Sequence, residues 1–129
     1  MKLNLTWLAV ALLLAGPAHA AYEIQTAKGF EQTSHIYTGD TIREVGSINS
    51  FQTNGEIIVS VESAHASEVF DTVKQLDVQL VLSIDRSSDT KMVVINAGDK
   101  DLLDVQQTLQ SLPGVTQVSL SAKQQDRAQ

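Results

Sequence analysis

The chain contains no cysteine, which excludes a disulfide framework, thiol chemistry and a thiolate metal site and leaves packing as the source of stability. It also lacks a basic surplus. Past the first twenty residues, eight Lys and Arg face fifteen Asp and Glu, a net charge of −7, and no basic stripe is present to recruit nucleic acid or another polyanion. No Gly-rich phosphate cradle occurs, since Gly55 and Gly98 are isolated turn glycines. Histidine is scarce. His35 and His65 lie thirty residues apart without the convergent partners that catalysis or metal binding needs, and the adjacency of Ser34 and His35 is not a triad, which assembles through folding. Asp99, Asp101 and Asp104 sit around one helix start, where capping and solvation account for them; a calcium loop needs denser oxygen ligands. The expectation is a protein with no catalytic residue, no metal and no cofactor, acting through its surfaces.

Long apolar runs are missing too. The first twenty residues, MKLNLTWLAVALLLAGPAHA, have Lys2, an apolar stretch Leu8–Ala15, a Gly16-Pro17 breaker and Ala-His-Ala at 18–20, the anatomy of a secretory signal peptide cut after Ala20. Read as a membrane anchor, the stretch is too short for roughly 30 Å of hydrocarbon. Residues 21–129 are then expected in the periplasm or outside the cell, with no membrane segment. They number 109, enough for one small core and too few for two typical domains.

Residues 21–55 are polar and turn-rich, with apolar residues spread thinly, and read as an extension with short strands and no core of its own. Asn54-Gly55 is either a hairpin turn that folds Ser47–Phe51 back on the following strand or an ordinary loop turn. From Glu56 the pattern sharpens. Ile57, Val59 and Val61 alternate in EIIVSVE, 56–62, as in a half-buried strand. Val69, Phe70, Val73 and Leu76 form a helical stripe within 65–76. VQLVLSID, 78–85, alternates Leu80, Leu82 and Ile84, and the turn RSSDT, 86–90, leads to KMVVIN, 91–96, a hairpin. Asp99 is the expected N-cap of a second helix with Asp101 in its first turn; Leu102, Val105, Leu109 and Leu112 form its stripe, Gly114 its stop, and TQVSL, 116–120, the last strand.

The order predicts an α+β ferredoxin-like split βαβ sandwich over 56–121, a four-stranded antiparallel sheet with two helices on one face, preceded by the polar extension and followed by a flexible tail, 122–129. Right-handed crossovers put the strands at 56–62 and 91–96 side by side at its centre. The other face is apolar as well: Met92 and Val94 alternate with Val93 and Ile95, and Ile58 and Val81 point away from the main stripes of their strands. Burying side chains of this size contributes about 1.5–3 kcal/mol each, so either residues 21–55 fold across this face or another protein does.

The segment DKDLLDVQQTLQSLPGVTQVS, Asp99–Ser119, resembles the last helix and strand of subtilisin-type protease propeptides, where an amphipathic helix ends in Leu-Pro-Gly-Val and a strand leads to the C-terminus. The similarity spans about twenty residues in wording and 56–129 in element order. It implies a sheet face that packs on two surface helices of a protease, with Ile58, Val81, Met92 and Val94 as docking residues, and a terminal strip, Lys123, Gln124, Gln125, Asp126, Arg127, Ala128 and Gln129, that enters the substrate cleft. With its own leader and no protease after Gln129, the chain is similar to the stand-alone external chaperones of secreted subtilisin- or kexin-like bacterial serine proteases. The last four residues lack the large apolar side chains that many subtilisin clefts prefer, which weakens the expectation of tight inhibition. The alternative is an exported ferredoxin-like ligand-binding or protein-bridging module with no protease partner.

Overall fold

A computed structural model describes residues 22–123. The chain runs β1 (Tyr22–Thr26), β2 (Gly29–Thr33), β3 (Thr41–Glu44), β4 (Phe51–Glu62), a 3-10 turn (Ser63–His65), α1 (Ala66–Leu76), β5 (Gln79–Asp85), β6 (Thr90–Asn96), α2 (Leu102–Gln110) and β7 (Val115–Ala122). All seven strands belong to one antiparallel sheet in which β2, β1, β3, β4, β6 and β5 follow in that order, and β7 pairs with β4 as well.

The four-stranded ferredoxin-like sandwich is thereby overturned. Residues 21–55 are not an appended polar stretch: they supply three strands and the first part of a fourth to the same sheet. The reason lies in β4. Asn54-Gly55 does not turn the chain back; the strand continues through it for twelve residues, with Gly55 at φ 85° and a shift of pairing with β7 between Thr53 and Ile57. Such an irregularity bends a strand without ending it. Along one edge β4 pairs with β7. The opposite edge is shared, β6 taking Glu56–Glu62 and β3 taking Phe51 and Gln52. Glu56–Glu62 and Thr90–Asn96 therefore do lie side by side.

The core forms where the two periodicities meet. Ile57, Val59 and Val61 of β4, Val93 and Ile95 of β6, and Val118 and Leu120 of β7 face Val69 and Val73 of α1 and Leu102, Val105 and Leu109 of α2, all buried. Ile36 and Ile42 join this cluster fully buried, and Tyr22, Ile24 and Phe51 pack against it. The N-terminal strands thus extend the core on its helix side and do not cross the sheet's other face. Among the described residues the buried polar side chains are satisfied: Thr53 Oγ1 donates to the Tyr37 and Asp40 carbonyls, and Gln106 Nε2 donates to the Val118 carbonyl at 2.9 Å.

Two local expectations also change. The N-cap of α2 is Asp101, whose carboxylate accepts from Leu103 N, in place of Asp99. The helix ends at Gln110, before Leu112. Helix α1 stops on Asp77 in the left-handed region, φ 59°, its N–H donating to the Lys74 and Val73 carbonyls.

Candidate functional site

Cross-strand partners share a face of a sheet, so the pairing register reads out the side away from the helices. One row across it is Ser119 of β7, Ile58 of β4, Val94 of β6 and Leu82 of β5; the next is Gln117, Ser60, Met92 and Ile84. The face grades from hydroxyl and amide side chains at the β7 edge to apolar ones at the β5 edge. On the central strand β4 an acid flanks these two rows on each side, Glu56 and Glu62, and the rows themselves contain no basic residue.

Of the four docking residues expected on this face, three are gathered: Ile58 lies opposite Val94, and Met92 is two residues before Val94 on β6. Val81 is not in the rows. The register of β5 against β6 shifts between Leu80 and Leu82, leaving Val81 without a pairing partner. This bulge moves Leu82 and Ile84, expected on the core side with Leu80, to the open side. They retain 46% and 43% of their exposure, whereas Val94, flanked by both neighbours, retains 8%. Leu82 and Ile84 are thus site residues that strict alternation misplaces. The signal for them was the unbroken Leu80-Val81-Leu82, three apolar residues where a one-sided strand has two.

Of the terminal strip, Ala122 closes β7 and the Lys123 N–H donates to the Gln52 carbonyl at 2.6 Å, so these two residues are tied to β4. Gln124, Gln125, Asp126, Arg127, Ala128 and Gln129 lie outside the described residues, as does the segment 1–20 expected to be a signal peptide.

The histidines are held by acids on separate elements. His35 Nδ1 bonds Asp101 Oδ2 at 2.5 Å; that hydrogen bond and the Asp101 charge, with Asp104 adding, raise its pKa above the usual 6.5 against a small opposing effect of burial. His65 Nδ1 bonds Glu68 Oε1 at 2.7 Å, and its ring fills the space beside Gly114, where an added Cβ would stand 2.5 Å from it. Neither pairing includes a nucleophile. Among the described residues no group of three or more His, Asp or Glu side chains could hold a metal ion, and no helix is long and apolar enough to cross a membrane. A recess of about 280 Å³ between Tyr22, Glu44, Phe51 and the Gln117–Leu120 stretch of β7 is shallow and polar.

The chain matches no protein-family model, no curated protein and no solved structure.

Proposed function

We propose that the protein is an exported binding module that acts by contact, and that its partner is a secreted subtilisin- or kexin-like serine protease whose folding it assists from the periplasm or outside the cell. The observation that carries the docking is the row Ile58, Val94, Leu82 with Met92 and Ile84 beside it: an apolar sheet face that neither helix nor the N-terminal strands cover. The class of partner is supported by the resemblance of Asp99–Ser119 to protease propeptides. In this reading the face supplies a rigid template on which helices of the protease gather, lowering a folding barrier without covalent chemistry, and the terminal strip beyond Lys123 enters the cleft as an added strand.

The exposed edge strand beside that face favours a second reading, a protein-bridging module that holds two other chains. One experiment separates the two. The tagged chain and its Met92→Asp variant are used as bait in the extracellular extract of the source cells. Enrichment of a serine protease by the first and not by the second supports the chaperone reading; a different protein lost in the same way supports bridging; equal capture by both baits removes the open face from either.

A further inference from the structure

We propose that β5 is a self-pairing edge through which a second copy of the chain continues the sheet. All seven residues Gln79–Asp85 are exposed, although β6 occupies one side of the strand. Leu80, which shares the helix side with Ile95, keeps 46% of its exposure, so α1 does not cover β5 any more than the open side does. The strand carries four large apolar residues, Leu80, Val81, Leu82 and Ile84, and no charge before Asp85. Natural edge strands are usually protected by charge, proline or brevity, and here the protection is a bulge.

The bulge decides what can pair. Before it Gln79 faces the open side and Leu80 the helix side; after it Leu82 and Ile84 face the open side and Ser83 the helix side. A partner strand with strict alternation matches one half of β5 and falls out of face register in the other. A second copy carries the same shift at the mirrored place. Related by a two-fold axis perpendicular to the sheet and passing between Val81 and Leu82, antiparallel strands set Leu80 against the partner's Ser83 and Gln79 against the partner's Ile84, each pair on one face. An axis through Leu82 fails, since it opposes Leu80 to the partner's Ile84 across the two faces. At either end of the seam, just beyond the paired strands, exposed Asp77 at the C-cap of α1 and the partner's exposed Arg86 come to the same corner, twice by symmetry. Shape and charge thus agree on a second copy as the occupant.

The test is the oligomeric state of residues 21–129 by sedimentation velocity over a dilution series. The wild type is expected to show a monomer–dimer equilibrium. Asp77→Arg alone and Arg86→Asp alone each turn two opposite-charge pairs into two like-charge pairs, and each raises the dissociation constant at least about tenfold. In an equimolar mixture of the two variants both pairs are again of opposite charge, so a heterodimer forms with near wild-type affinity. Circular dichroism checks the fold of each. Should Asp77→Arg not fold at its left-handed position, Arg86→Asp in its exposed turn carries the test, with Arg86→Lys expected to dimerise as the wild type does. A wild type that stays monomeric throughout the series, charge variants that associate unchanged, or a mixture no better than its components overturns the proposal. None of these readouts depends on a protease, so this result and that of the bait experiment are independent.

Discussion

His35 and Asp101, sixty-six positions apart, close a clasp between the N-terminal strands and helix α2. Asp101 Oδ2 bonds the imidazole, and Oδ1 accepts from Ile36 N at 3.0 Å and Leu103 N at 3.1 Å; Leu102 N then donates to the Ile36 carbonyl at 2.7 Å. A single carboxylate caps the helix and fixes the segment that carries Ile36 into the core.

The clasp gives stability a pH dependence of known sign. The His35 pKa is raised in the folded state by its hydrogen bond to Asp101, then by the Asp101 charge, so the stabilisation is fully present below the unfolded value near 6.5 and is lost as pH rises through the folded value above it. The thermal midpoint of the wild type should exceed that of His35→Ala in mild acid, and the gap should close in alkali. A gap that widens with pH, or an imidazole titrating below 6.5 by NMR, contradicts the clasp.

Removing the carboxylate is more costly than removing the ring. Asp101→Ala loses the helix cap and leaves the Ile36 N–H without its acceptor, at an expected cost of about 2–4 kcal/mol in urea unfolding. Asp99→Ala, two residues away and exposed, should fall within about 0.5 kcal/mol of wild type. Equal effects of the two would mean that the cap does not carry the clasp.

That pair of aspartates shows where the sequence stopped being legible. Both have the side chain of an N-cap, and the choice between them is made by Ile36 and His35, which no local pattern brings near. The same limit hid where the short N-terminal strands belong. Ile24, Ile36, Ile42 and Phe51 are too sparse for a period of two to be visible; Ile36 and Ile42 are buried, with Ile24 and Phe51 packed against the core, because β4 runs on through Gly55 and offers β3 an edge. Where periodicity was dense it was reliable: Ile57, Val59 and Val61 on one strand, Val69 and Val73 on a helix, and Leu102, Val105 and Leu109 on another are all in the core. In β5 alternation was present and misleading, because one bulge reverses every side chain after it.

The bulge makes the docking face testable at a residue that alternation assigns to the core. Leu82→Asp is expected to keep the fold, with a loss within about 1 kcal/mol because the side chain is already half exposed, while partner capture is lost. Val94→Asp, at 8% exposure, should cost several times more and is a poor probe of binding for that reason. A Leu82→Asp protein that unfolds would put Leu82 on the helix side; one that folds and still captures its partner at wild-type level would remove the open face from the interface.

The terminal strip separates the cleft model from docking by the face alone. Lys123, with its N–H on the Gln52 carbonyl, is the last described residue, and the six that follow in sequence, Gln124–Gln129, contain nothing apolar beyond Ala128. A substrate cleft binds an extended backbone as an added strand, and a segment with so little to bury is suited to stay available for that. Arg127 fits a protease that selects basic residues if the strip binds one or two positions from its end. Deleting Arg127–Gln129 should therefore leave the thermal midpoint unchanged, within the roughly 0.5 kcal/mol typical of surface changes, and reduce the yield of matured protease in a refolding assay. The Leu82→Asp variant abolishes the same yield by a different route, by failing to bind at all, so binding and maturation are measured together. Full maturation by the truncated chain shows that the strip is only a chain end and that the face carries the function.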